Sequence, residues 1–178
     1  TCHVGKMPAA GGNDYELLID DLRQVARFAN ENDQRFLFET GPESAHELQQ
    51  TFNDIGMDNV GVNLDPANLI MVLNDDPVEA VYALRRHIKH THAKDGVQYR
   101  PCDPVKVYAA FAEGGVEGLN IGELFNELPL GEGKVDWDRY LAALSEVGYA
   151  GYLTVEREVG ANPEADIRRA VEFLRQKI

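Results

Sequence analysis

Apolar positions along the chain alternate between two periods, one helical and one extended. From Asn13, the residues Tyr15, Leu18, Ile19, Leu22, Val25, Ala26 and Ala29 recur at helical spacing, and Asn13 with Glu16 stand in capping-box positions. Phe36-Leu37-Phe38 is a short apolar run that stops at Glu39-Thr40-Gly41-Pro42, the pattern of a strand entering a loop. Ser44 and Glu47 form a second capping box, opening a helix that runs to about Ile55-Gly56. The unit then recurs. Val60-Gly61-Val62-Asn63-Leu64 precedes Asp65-Pro66, and Asp76-Pro77 caps a helix through Leu84-Arg85-Arg86. His87-Ile88-Lys89-His90-Thr91 starts a third unit, with a longer loop and a helix expected from Pro104 to Glu113. Glu127-Leu128-Pro129-Leu130 predicts a fourth strand, ahead of Gly131-Glu132-Gly133 and a helix capped by Asp136. Tyr152-Leu153-Thr154-Val155 predicts a fifth, followed by a helix opening at Asn162-Pro163. Thr1-Cys2-His3 reads as the end of one more strand.

Strands alternating with helices of this length imply an α/β fold with parallel pairing through right-handed crossovers. No Pro-rich or Ser-rich linker divides the chain, so residues 1–178 are expected to form a single domain. Two architectures satisfy the pattern, the doubly wound open sheet and the (βα)8 TIM barrel. They differ in where polar residues gather. In the barrel, residues at the C-terminal ends of successive strands converge on one pocket, so a site is written as polar residues recurring once per unit.

That recurrence is present. Glu39, Asp65 and His92 end successive predicted strands at nearly equal intervals, and Glu156 ends the strand expected about two units later. Three carboxylates and one imidazole form a plausible shell for one divalent cation, and an oxygen-rich set favours Mn, Mg or Co over Zn. Taken singly, each residue is better explained as a solvated loop acid or a core histidine; their joint spacing is the signal. His90 and His92 fall on the same side of a strand, as do Glu156 and Glu158, so each ligand has a neighbouring rival.

Charge narrows the partners. The 178 residues carry 17 Lys and Arg against 30 Asp and Glu, a formal net charge of −13, which opposes binding to nucleic acid through phosphate contacts. Cations and small molecules are the easier partners. The longest apolar run, Leu69 to Leu73, is far too short to span a bilayer, so no membrane association is expected. The two cysteines, Cys2 and Cys102, form no disulfide framework and no signal-peptide pattern opens the chain, which together suggest a cytoplasmic protein.

Glu39-Thr40-Gly41-Pro42-Glu43, Asp65-Pro66-Ala67-Asn68-Leu69, His92-Ala93-Lys94-Asp95, Pro129-Leu130-Gly131-Glu132-Gly133 and Thr154-Val155-Glu156-Arg157-Glu158 occur in an order that resembles the xylose isomerase-like TIM-barrel superfamily, in its sugar phosphate isomerase/epimerase branch. The resemblance implies a metal held by Glu39, Asp65, His92 and Glu156, with His92 preferred over His90 because of the His-x-Lys-Asp pattern. It also implies that Glu39 and Glu156 exchange a carbon-bound proton as base and acid, on a sugar or sugar-phosphate substrate. Asn68 stands where related epimerases often carry a substrate-contacting His, and His3 would line the pocket. Lys94 and Arg100, in the loop after His92, are candidates for binding a substrate hydroxyl, carboxylate or phosphate.

Such barrels need about 250 residues, so the chain is expected to supply the C-terminal part, about strands 3 to 8, with the N-terminal strands missing. That expectation implies either a longer enzyme or association with another chain, a homo-oligomer included. Other readings stay open. The same metal and acid/base pair would serve a lyase or dehydratase; an endonuclease IV-like nuclease shares the barrel but expects more histidines; a non-catalytic binding domain would keep the fold without the ion.

Overall fold

The computed structural model describes residues 1–113 and 120–178. Four parallel strands form the main sheet, in the order β1 (Phe36–Glu39), β2 (Val60–Leu64), β3 (Ile88–Ala93) and β6 (Leu153–Val155). Cys2 adds a parallel bridge to Phe38, where a strand end is expected. Helices α1 (Asn13–Glu31), α2 (Ala45–Ile55), α4 (Pro77–Leu84), α7 (Trp137–Glu146) and α8 (Pro163–Arg175) follow the expected pattern. Their apolar stripes and the strands close one core, with Phe38, Leu48, Val62, Leu64, Leu84 and Tyr140 fully buried. None of the described helices is long and apolar enough to cross a membrane.

Local chemistry sets most helix starts. The Ser44–Glu47 capping box forms in both directions, and the side chains of Asp76, Asp136 and Asn162 each accept a hydrogen bond from a first-turn N–H of their helices. The box expected at Asn13 does not form. Gly12 is the cap, its carbonyl accepting from Glu16 N–H, so Asn13 is already the first helical residue and its side chain is past the capping position.

The fourth unit differs from its pattern. Phe125–Leu128 (β5) pairs antiparallel with Asp95–Gln98 (β4), outside the parallel sheet, and β3 pairs directly with β6. The segment from Asp95 to Val135 is therefore an excursion within one unit, which is why Glu156 lies so far along the chain from His92. It packs through a second core of Ala67, Met71, Val72, Val107 and Phe125. Between the two cores runs a short helix α3 (Pro66–Asn68) continued by a π-helical turn, Leu69–Leu73. Leu69 and Ile70 enter the main core and Met71 and Val72 the second, so the run is apolar all round because it is covered on both sides. Helix α5 (Pro104–Glu113) forms where expected, and α6 (Ile121–Leu124) precedes β5.

Asp95 ties the excursion down. Its carboxylate, 1% exposed, accepts from the backbone N–H of Gly96, Val135 and Gly131 and from the Trp137 indole, at 2.9 to 3.1 Å. The two glycines of Gly131-Glu132-Gly133 serve this contact. Gly131 adopts φ +87°, and a Cβ on Gly133 would fall 2.0 Å from Asp95 Oδ1. The motif is a tight loop folded over a carboxylate. Asp95→Ala leaves those buried donors unpaired and is expected to lower stability by about 3 to 5 kcal/mol in urea unfolding. Unchanged stability would show that the loop does not depend on Asp95.

Candidate metal centre

The strand ends bring the four candidate ligands together. One ligand atom from each of Glu39, Asp65, His92 and Glu156 lies within 4.8 Å of the others. Backbone and hydroxyl groups fix this convergence. Thr40 Oγ1 donates to Asp65 O at 2.8 Å and accepts from Asp65 N–H at 2.7 Å, clamping the end of β1 to the end of β2. Thr91 Oγ1 donates to Leu64 O at 2.7 Å, and Glu156 N–H donates to Ala93 O at 3.2 Å, so the next two junctions are held as well. Asp65 also caps α3, its Oδ1 accepting from Ala67 and Asn68 N–H, which leaves Oδ2 for the cluster.

His92 is the centre of the group. Its Nδ1 sits 3.4 Å from Glu39 Oε1, 3.5 Å from Asp65 Oδ2 and 3.3 Å from Glu156 Oε2, while His90 bonds through Nε2 to Thr154 Oγ1 at 2.9 Å. Burial alone would lower the imidazole, but Asp65, Glu156 and Glu39 together outweigh it and push His92 up to about 11. His92 and then Lys94 in turn hold Glu156 down to about 2, against its partial burial. Lys94, 4% exposed, lies 2.9 Å from Glu156 Oε2 and also contacts Glu158, which faces the lysine and stays outside the cluster. Those carboxylates and Asp65 raise the Lys94 ammonium above its ordinary range in spite of burial.

Two atoms bear on whether these donors fit a cation. Asp65 Oδ2 and His92 Nδ1 are buried and have no hydrogen-bond partner. A buried carboxylate oxygen left unpaired beside an imidazole nitrogen is costly unless something positive is shared between them.

The cluster opens on a cavity of about 800 Å³ lined by His3, Asn68, Lys94, Glu156 and, from α5, Tyr108 and Phe111. Among the other expected site residues, Asn68 Nδ2 donates to Thr40 O at 3.1 Å, and His3 Nε2 lies 3.7 Å from Glu39 Oε1. Arg100 is not in the cavity wall. It follows the hairpin strand β4 rather than the barrel strand, and its exposed side chain lies 4.0 Å from Glu123. Tyr108 and Asn63 have no counterpart among the expected site residues. Tyr108 OH is so close to Gly41 that a Cβ there would fall 1.9 Å away, so Gly41 makes room for the ring.

The sequence profile described as "Xylose isomerase-like TIM barrel" matches residues 2–177. The chain belongs to this family. It is 25% identical over 169 residues to inosose dehydratase of Lacticaseibacillus casei, covering 91% of this chain and 54% of that protein. The crystal structure of a xylose isomerase domain protein from Planctomyces limnophilus is similar with a TM-score of 0.78 at 30% identity, covering 98% of this chain and 55% of that one. D-psicose 3-epimerase with D-tagatose, from Clostridium cellulolyticum H10, shares the fold with a TM-score of 0.65 at 18% identity, covering 97% of this chain and 58% of that one. The chain thus spans about half the length of the proteins it matches, which include a dehydratase and, by fold, a sugar epimerase.

One carboxyl group beside the site responds to pH. Glu43, 1% exposed in the loop between β1 and α2, accepts from Met7 N–H at 2.8 Å, and burial pushes it from 4.5 up to about 7 in spite of that bond. The folded chain therefore keeps a proton that the unfolded chain has lost between pH 4.5 and 7, so this group's contribution to stability falls as pH rises through that window. Glu43→Gln removes the dependence. Its stability relative to the parent should rise by about 3 kcal/mol between pH 4.5 and 7.5, read from urea midpoints in the presence of a chelator. Parallel curves would place Glu43 in a solvated environment instead.

Proposed function

We propose that this chain carries the catalytic centre of a divalent-metal-dependent isomerase or epimerase acting on a sugar or sugar phosphate. The observation that carries the proposal is the convergence of Glu39, Asp65, His92 and Glu156, with Glu39 and Glu156 lining the cavity and Asp65 Oδ2 and His92 Nδ1 buried and unpartnered. Three carboxylates and one imidazole would hold Mn, Mg or Co in preference to Zn. Such an ion, when bound, supplies Lewis acidity to a substrate carbonyl and its neighbouring hydroxyl.

The chain's own residues supply the proton chemistry. Glu156, kept ionised by His92 and Lys94, can take the proton from a carbon beside the carbonyl, the C–H electron pair passing into an enediolate. Glu39, entering the step protonated, can give its proton to the opposite face of that carbon, giving the epimer, or to the adjacent carbon, giving the isomer once the hydroxyl proton has moved between the two oxygens. The two glutamates then exchange protons with water. Tyr108 and Phe111 line one side of the cavity with aromatic rings. A second reading is favoured by the similarity to inosose dehydratase: the same abstraction, followed by loss of the next carbon's hydroxyl as water with a proton from Glu39.

Incubation of neutral ketoses, their phosphates and keto-inositols with the manganese-loaded protein in D2O separates these outcomes by NMR. Deuterium exchange at a carbon beside the carbonyl, reduced at least about 100-fold in Glu156→Gln, is expected. Appearance of an unsaturated or deoxy product would select the dehydratase. Exchange undiminished in Glu156→Gln would contradict the assignment of that residue.

A further inference from the structure

His92 presents one ring nitrogen to the cluster and the other to Asn63. Nδ1 faces the three carboxylates at 3.3 to 3.5 Å, and Nε2 lies 3.0 Å from Asn63 Nδ2. An imidazole that ligates a cation is neutral and carries a single N–H, so the partner of one nitrogen decides what the other can do. If Nε2 accepts from the Asn63 amide, the proton sits on Nδ1 and points into the carboxylates. That arrangement leaves Asn63 Oδ1 buried with no partner, while Nδ2 also lies 3.3 Å from Glu39 Oε2. A half-turn of the carboxamide exchanges its oxygen and nitrogen within the same volume. Oδ1 then accepts from Nε2–H and Nδ1 keeps its lone pair for the cluster, while the amide gives up its 3.3 Å contact with Glu39 Oε2.

Asn63 is well placed for this role. It is 1% exposed, so water does not compete for Nε2, and it stands two residues before Asp65 on β2, which puts both side chains on the same face. Its backbone is registered opposite Glu39 on β1 and His90 on β3. We propose that Asn63 is a positioning residue that sets the tautomer of His92, its carboxamide oxygen accepting from Nε2–H so that Nδ1 is free to ligate a divalent cation. The inference rests on the metal reading given above and deepens it. Asn63 touches neither cation nor substrate and acts through the imidazole.

Two variants and two readouts test it. In Asn63→Leu the ring loses its acceptor at nearly constant volume, and manganese affinity measured by calorimetry should fall about 10- to 100-fold. Asn63→Asp retains an acceptor at the same place and should bind manganese at least as tightly as the parent. Imidazole 15N NMR of the magnesium-loaded protein should show Nε2 protonated in the parent and in Asn63→Asp, and a mixed state in Asn63→Leu. Parent-like affinity and tautomer in Asn63→Leu would overturn the inference while leaving the metal centre standing. Loss of affinity in Asn63→Asp would also overturn it, and decides the matter should Asn63→Leu fail to fold. A parent protein that binds no manganese would defeat the metal reading itself, and this inference with it.

Discussion

Mutual repulsion of acidic groups is the constraint around which this site is built. Ionised carboxylates 4.8 Å apart repel by about 3.5 kcal/mol per pair at an effective dielectric of 20, so Glu39, Asp65 and Glu156 together oppose folding by about 10 kcal/mol. That is comparable with the whole stability of a domain. The chain offsets it with the His92 imidazole at the centre and the Lys94 ammonium on the flank, both held protonated by the acids they neutralise. The compensation is incomplete at Asp65 Oδ2, and a further positive charge would meet that atom first.

Everything that fixes the acids in place is neutral or paired. Thr40 and Thr91 bind neighbouring strand ends through hydroxyl groups, which add no charge. Beyond β6, Arg157 pairs with Glu127 at 2.7 Å and with Asp166 at 2.9 Å, while Glu158 N–H donates to Glu127 at 3.1 Å. The hairpin strand β5 and helix α8 therefore anchor the segment that carries Glu156. Asp95 anchors the other end of the excursion, whose helix α5 lines one side of the cavity, through a carboxylate that has no part in the cluster.

Much of this was legible in the residues, and what was not has physical causes. Glu39 and Asp65 could be found because each ends an apolar run, and His92 because the period of the βα unit repeats between the three. Glu156 was recognisable by type and position, but residues 127–130 suggested a barrel strand before it. Whether such a run joins a parallel sheet or an antiparallel hairpin depends on its partner, and the partner Asp95–Gln98 directly continues β3 with no turn signal between them. The turn at Leu69–Leu73 escaped because a helix covered on both sides has no polar face and hence no period. Asn63 lay inside a strand, where attention to strand ends passes over it. Its signal was the alternation Asn63-x-Asp65 beside His90-x-His92-x-Lys94, a polar stripe at period two on one face of a buried sheet.

The central claim is that these four side chains form a cation site, and the most direct measurement is an anomalous difference map from crystals of the protein grown with manganese. One strong peak is expected within about 2.3 Å of an oxygen from each of Glu39, Asp65 and Glu156 and of His92 Nδ1. No peak at this position, or one held by other residues while His92 remains against the carboxylates, would contradict it.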